Sequence, residues 1–329
     1  MNQKITSYQI NENQFDIPAA TQPTLYFIGV TTGQSSIMKT FPLWAEALKL
    51  ENTVIKGIDI AIHEKDEVYQ KVVEFIKNDP LSMGALVTTH KLDLFKATKD
   101  LFDYLDPYAE MFEELSSISK LNGQLRGHAK DPISSGKALN DFVPENWWKD
   151  HDGDFCVIGA GGSAIAMGSY LMREEFKENY PKRIIVANRS QPRLTEIKNI
   201  FADMNPGGIE FEYYLCPNGE DNDKVLSNLK PYSVVVNATG LGKDRPGSPI
   251  TDNGLFPKDS LIWEINYRGE LNFMHQALAQ KDQQNLHVED GWRYFIYGWT
   301  EVIAEVFHID INKEILDELD RLAQTTRPQ

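Results

Sequence analysis

Apolar runs of strand length alternate with helical patterns along the whole chain. LYFIGVTT (25–32), TVIKGIDIAI (53–62) and GALVTT (84–89) read as strands. Between the second and third, KDEVYQKVVEFIKNDP sets Val68, Val72, Phe75 and Ile76 on one helical face, and Pro80 stops it. This strand, helix, strand order favours parallel pairing through a right-handed crossover. Asn122-Gly123, between ISKL and QLRGH, is a hairpin turn signal. The polar stretch PENWWKDHDGD (144–154) carries Pro and Gly and reads as a domain boundary. Its tryptophans, Trp147 and Trp148, suit either packing where domains meet or a simple core role.

After residue 154 the alternation restarts. FCVIGA (155–160) reads as a buried strand with a helix from Gly162, and RIIVAN (183–188) as a second strand with a helix from Pro192. Further strands read at IEFEYY (209–214), SVVVNAT (233–239) and LIWEIN (261–266). Near-continuous apolar strands in repeated βα units imply a doubly wound parallel sheet covered on both faces. WRYFIYGWTEVIAEVF and INKEILDELDRLA read as two closing helices. The expected fold is α/β with two domains. Residues 1–143 form an N-terminal α/β domain with a mostly parallel sheet, on which helices from about 292 to 329 pack back. Residues 144–291 form a Rossmann-like doubly wound domain. No internal repeat is present.

Composition narrows the function. The 329 residues suffice for two cores, and 41% hydrophobic with 25% charged residues is a globular balance. The net charge of −15 argues against nucleic-acid and membrane-surface partners, because an acidic surface repels both. Two cysteines, Cys156 and Cys216, cannot build a disulfide framework, and both lie in apolar strand-like stretches, as expected of reduced thiols in a cytoplasmic protein. The polar N-terminus lacks the apolar core of a secretory signal. Phe155 to Met172 is uncharged and long enough to suggest a membrane span, but its four glycines and two serines fit strand, turn and helix better. Seven histidines without HxxxH spacing, and no CxxC pair, give no metal site.

The strongest local signal is VIGAGGSA, Val157 to Ala164: a buried strand, a glycine loop and a helix in the order a dinucleotide site needs. Gly159 permits the tight turn and Gly161 the close approach of a pyrophosphate. The loop Gly159, Ala160, Gly161, Gly162, Ser163 and Ala164 then delivers the phosphates to the positive end of the helix. The alternative is a tight βα turn without a ligand. The second strand ends in Asn188, Arg189, Ser190 and then Arg193, with no acid. Guanidinium groups and a hydroxyl attract a 2′-phosphate where an acid would bond a free ribose hydroxyl, so NADP is expected rather than NAD. The alternative is that both arginines are solvated charges at a helix start.

Taken together, GAGGSA (159–164), NRSQPR (188–193) and VNATGLG (236–242) resemble, in order and spacing, the cofactor domain of the shikimate/quinate dehydrogenase family. DGWRYFIYGWTEVIAEVF (290–307) is similar to its closing helix, and INYRGELNFMHQA (265–277) to its Tyr-containing loop and helix. IGVTTGQSS (28–36), LVTTHK (86–91) and GHAKD (127–131) match more loosely. The resemblance implies a reductase of aromatic amino acid biosynthesis whose N-terminal domain holds a polyhydroxylated ring acid and whose Rossmann domain holds NADP, with the active site in the cleft between. It gives Asn237, Ala238, Thr239, Gly240 and Gly291 to the cofactor. It gives Lys91 and Asp131 to the reacting hydroxyl: Lys91 as the acid/base group, Asp131 as its orienter. Without it, Lys91 would read as a surface lysine and Asp131 as a helix cap before Pro132. Tyr267 becomes a wall near the nicotinamide, and Ser36, Thr88, Ser119 and Tyr297 substrate contacts. His90 reads as a hydrogen-bonded support beside the lysine.

The departures all fall where the ring acid would bind. The family's Ser-x-Ser pair reads Gln34-Ser35-Ser36, and its lysine segment is shorter by one, without its Pro and Asn. Its substrate Asn becomes Ser119, its Asn-Thr becomes Ala129-Lys130, and its ring-touching Gln aligns with Gly298. Lys130 and Lys39 are either substitute carboxylate contacts or solvated charges. Preserved chemistry on a different ring is the expectation, from a monomer or homodimer with a small-molecule ring hydroxy acid as partner. The alternatives are a non-catalytic sensor of NADP(H) and a metabolite, and an NAD-linked quinate dehydrogenase.

Overall fold

A computed structural model describes residues 7–173, 179–204, 207–243 and 245–328. The chain divides into two compact units, Met1–Lys130 with Gly298–Gln329, and Asp131–Tyr297. The first opens with β1 (Ser7–Ile10), β2 (Thr24–Gly29), α1 (Ile37–Ala47), β3 (Val54–Ile60), α2 (Asp66–Asn78) and β4 (Ser82–Val87). It continues with α3 (Lys91–Thr98), β5 (Tyr104–Leu105), α4 (Pro107–Phe112), β6 (Ser117–Leu121) and β7 (Gln124–His128).

These strands form one sheet in the order β1-β3-β2-β4-β6-β7-β5, and only β6 runs antiparallel to its neighbours. The mostly parallel expectation holds, with one refinement. β3 and β4 are parallel but do not pair; β2 lies between them. Every residue of β2 is buried, as a strand covered on both faces requires. Asn122 and Gly123 take φ values of 52° and 80°, the double positive φ that closes the β6–β7 hairpin. α2 buries Val68, Tyr69, Val72, Val73 and Ile76 on one face. The strand read over 25–32 ends at Gly29 instead. There the buried Asp59 carboxylate accepts both the Thr32 N–H (2.7 Å) and its hydroxyl (2.6 Å), turning the chain into a short 3-10 segment, Thr32–Gln34.

The second unit contains α5 (Asp131–Phe142), α6 (Trp147–Asp150), β8 (Phe155–Ile158), α7 (Gly162–Leu171), β9 (Arg183–Asn188) and α8 (Gln191–Met204). After these come β10 (Glu210–Leu215), α9 (Gly219–Ser227), β11 (Val234–Asn237), β12 (Leu261–Glu264), α10 (Asn272–Gln284) and β13 (His287–Glu289). The last helices are α11 (Trp292–Phe307), whose residues from Gly298 count with the first unit, and α12 (Lys313–Gln324). The second sheet is wholly parallel in the order β10-β9-β8-β11-β12-β13, the doubly wound arrangement with its switch point between β8 and β11. Phe155, Val157, Val234, Val236 and Trp263 face one core; Cys156, Ile158, Val235 and Ile262 face another. Apolar packing on both sides explains the unbroken apolar runs in the sequence. Trp148 belongs to the first of these cores, and Trp147 donates its Nε1–H to the Tyr232 carbonyl at 2.9 Å. Residues 155–172 resolve into β8, the glycine turn and α7, and no described helix is long and apolar enough to cross a membrane.

Candidate active site

The glycine turn is built by close approach to β11. Gly159 takes φ 119°, and a Cβ there would stand 2.6 Å from the Ala238 carbonyl oxygen, so only glycine fits. The turn is held by Gly159 N–H to Ala187 O and by Ala238 N–H to Ile158 O, both 2.7 Å. Gly161 precedes α7, and a Cβ at that position would meet nothing within 4 Å. The backbone therefore faces open space. α7 has no side-chain cap and no acid in its first turn, which leaves its positive end available to an anion. Ser163 is engaged elsewhere: its Oγ accepts from the Tyr294 hydroxyl at 2.9 Å. Ala160 and Ala164 are buried in support of the turn.

At the end of β9, Asn188 donates to the Ser190 carbonyl at 3.3 Å. Arg189 is exposed and makes no hydrogen bond or ion pair with the other described residues, so its guanidinium stands ready for a ligand. Arg193 differs. It is exposed in the first turn of α8 and is paired with Glu196 at 2.7 Å. The two arginines read alike in the sequence; in the fold, a carboxylate one turn along has taken the second.

The third wall is the end of β11 and β12. Asn237 Oδ1 accepts from the Thr239 N–H (3.1 Å) and hydroxyl (2.7 Å), and Thr239 Oγ1 accepts from Leu241 N–H (3.2 Å). Asn237 Nδ2 donates to Glu264 at 2.6 Å. Gly291 donates its N–H to Asn266 O at 2.9 Å, and a Cβ there would lie 1.8 Å from Ile265 O. Tyr267 packs its ring on Phe295 (4.7 Å between centroids) and Trp292 (5.6 Å). The fold thus gathers the glycine turn, the 237–240 segment, Gly291 and Tyr267 around the carboxyl ends of β8, β11 and β12. Glu264 escaped sequence reasoning. Its signal was a lone acid closing the apolar run LIWE.

In the first unit, Lys91 opens α3 and its carbonyl accepts from Leu115 N–H at 3.2 Å. Thr88 N–H bonds Ile28 O (2.9 Å) and His90 N–H turns back to Thr88 O (2.6 Å). Thr89, between them, has φ 64°. His90 is buried 3.2 Å from the Tyr69 hydroxyl, and burial pushes its pKa down, so it stands as a neutral support for the lysine segment. Ser36 is buried just before α1, and Ser119 is buried on β6.

Lys130 is not solvated. Its ammonium bonds Glu305 at 2.5 Å, and His128 Nε2 lies 3.2 Å from the same carboxylate. Burial raises the Glu305 pKa, but the Lys130 hydrogen bond and the charges of His128 and Lys130 outweigh it and hold the carboxyl below its usual range. Lys39 is exposed. Lys130 N–H bonds Ser116 Oγ at 2.7 Å, so the pair stands one residue along from the Leu115 contact to Lys91. In the second unit Asp131 opens α5. Tyr297 lies under the Arg293 guanidinium (5.3 Å), and a Cβ at Gly298 would meet nothing within 4 Å. Among the described residues, no group of three or more His, Cys, Asp or Glu side chains is arranged to hold a metal.

No protein-family profile matches the chain. Shikimate dehydrogenase (NADP(+)) of Lactococcus lactis is 24% identical over 281 residues, covering 82% of this chain and 91% of that protein. The enzyme of that name from Streptococcus thermophilus is 25% identical over 251 residues, covering 76% and 80%. This chain resembles the shikimate/quinate dehydrogenases, at a distance. Solved structures agree on the fold. Quinate dehydrogenase from Corynebacterium glutamicum in complex with NAD superposes with a TM-score of 0.70 at 16% identity, covering 92% of this chain and 99% of that one. Shikimate dehydrogenase from Aquifex aeolicus gives 0.68 at 20%, covering 93% and 100%. The Thermus thermophilus enzyme in complex with NADP(H) and shikimate gives 0.66 at 18%, covering 91% and 99%.

Proposed function

We propose that this protein is an NADP-dependent oxidoreductase of the shikimate dehydrogenase type. It moves hydride reversibly between NADP(H) and a secondary alcohol or ketone of a cyclic hydroxy acid, such as shikimate and 3-dehydroshikimate or a related ring. The observation that carries the reading is the glycine turn at the sheet's switch point, followed by a β9 end that is basic and free of acid. NADP supplies the hydride acceptor. Gly161 and the α7 end would take its pyrophosphate, and Arg189 with Ser190 its 2′-phosphate. Residues 1–143 with the helices from about 292 would bind the ring, and residues 144–291 the cofactor, in a cytoplasmic monomer or homodimer.

Oxidation removes hydride from the carbinol carbon and a proton from its oxygen. Lys91 receives that proton and returns it to the carbonyl oxygen in the reverse direction, and Asp131 orients the ammonium. Thr88 and Ser36 offer hydroxyls to the ring, with Tyr267 and Tyr297 as aromatic walls; the fully buried Ser119 hydroxyl instead donates to Glu305 at 3.4 Å. Lys130 held by Glu305 and Gly298 offering no side chain favour a related ring that does not need the family's amides over shikimate itself.

The test is NADPH formation by absorbance with shikimate, quinate and ring analogues, with NAD in parallel. One ring should turn over with NADP in preference to NAD, and Lys91→Ala should lose roughly 10²–10⁴ in rate. Tight NADP binding with no turnover of any ring would replace the enzyme by a sensor.

A further inference from the structure

Resting on the NADP reading, we infer that Glu264 is a positioning residue for the cofactor: one buried carboxylate sets the donor and acceptor polarity of the loops that close the nicotinamide side of the site. Glu264 has no exposed surface. Its Oε2 accepts from Asn237 Nδ2 (2.6 Å); its Oε1 accepts from Asn266 N–H (2.9 Å) and Asn266 Nδ2 (2.6 Å). Each of these three partners is a donor. A carboxylate is the side chain that answers only with acceptors.

The consequence lies in the Asn237 amide. Because Nδ2 must face the carboxylate, Oδ1 is turned to Thr239, where it takes both the N–H and the hydroxyl. Asn266 Nδ2 also reaches Leu241 O (3.2 Å), and Asn266 O receives Gly291 N–H (2.9 Å). The 237–241 segment, the 265–267 turn and Gly291 are therefore locked to one another through Glu264. A neutral group facing Asn237 would present a proton there. The amide would have to turn over, its Nδ2 would then face the Thr239 N–H, and the segment would lose its order.

The same logic links the site to pH. Burial, opposed by the Asn266 and Asn237 hydrogen bonds and aided by the charge of Asp290, pushes the Glu264 pKa up to about 7. Asp290 is the charged group that acts on it from the segment after β13; β8 and β11 offer only neutral side chains. Protonation below neutral pH has the effect of the neutral substitution, so NADP should bind more weakly at pH 6 than at pH 8.

The test uses the full chain, NADP as probe, and two variants. Glu264→Gln should weaken NADP binding by about tenfold or more and speed amide exchange at Thr239 and Leu241, because buried donors are left facing donors. Glu264→Gln combined with Asn237→Asp exchanges the two polarities: the glutamine amide donates to the introduced aspartate, whose other oxygen still accepts from Thr239. The double variant should recover binding and exchange to within about threefold of wild type, a rescue that loss of bulk packing would not permit. Wild-type protein that binds no NADP overturns the cofactor reading and this inference with it. Wild-type binding that Glu264→Gln leaves unchanged, or a folded double variant that fails to recover, overturns the inference alone.

Discussion

Thr89 shows how a single residue can hold strain beside the candidate site. It is β-branched and exposed, yet holds φ 64°, the left-handed region such residues avoid at a cost of about 1–2 kcal/mol. The strain persists because both sides are anchored, Thr88 to Ile28 and the buried His90 beside Tyr69. It sits one residue short of the helix that Lys91 opens. Asn tolerates this backbone, so Thr89→Asn should raise stability by roughly 1 kcal/mol in urea unfolding. A variant less stable than wild type would show that the Thr89 side chain makes up for its backbone. The candidate site was only partly legible at this scale. The glycine turn and Arg189 follow from local spacing, because strand, loop and helix are contiguous. Lys91 and Asp131 emerged from resemblance alone. Glu264 and the Lys130–Glu305 pair stayed hidden, since each acquires its partners only when distant segments meet.

Among elements, the pattern was most legible where burial is two-sided. β9 and α11 have the limits their sequences suggest, and the second sheet's central strands differ by a few residues at their ends. β1, β5 and β13 were missed for a common reason. They are short edge strands, SYQI, YL and HVE, half exposed and without an apolar run to announce them. α12 presents the opposite case, an amphipathic helix whose Leu316, Leu319 and Ala323 are buried on the first unit. The Trp44 indole N–H reaches Leu319 O at 2.7 Å, which fixes the helix against α1. Leu319→Ala should therefore cost about 2–5 kcal/mol in equilibrium unfolding, as deletion of a fully buried leucine does. Glu318→Ala, exposed on the same helix, should stay within about 0.5 kcal/mol. Equal effects would mean that α12 contributes by its backbone and charge rather than by its apolar face.

At the scale of the whole molecule, charge and site oppose one another. The chain carries a net charge of −15, while NADP, the cofactor of the proposed function, is itself a polyanion that would have to reach the α7 end and the Arg189 guanidinium. Contact forces and long-range forces then respond differently to salt. The overall field acts over a Debye length of about 30 Å at 0.01 M and about 8 Å at 0.15 M, so adding salt within that range screens the repulsion between ligand and protein. The association rate of NADP in stopped-flow fluorescence should rise with ionic strength. The contact proposed for Arg189 would form only after encounter, so its weakening by salt belongs to the dissociation rate. Arg189→Ala should accordingly speed dissociation several-fold and leave the salt dependence of association nearly unchanged. An association rate that falls with salt, and flattens in Arg189→Ala, would show that the basic end of β9 steers the ligand against the field of the rest of the chain.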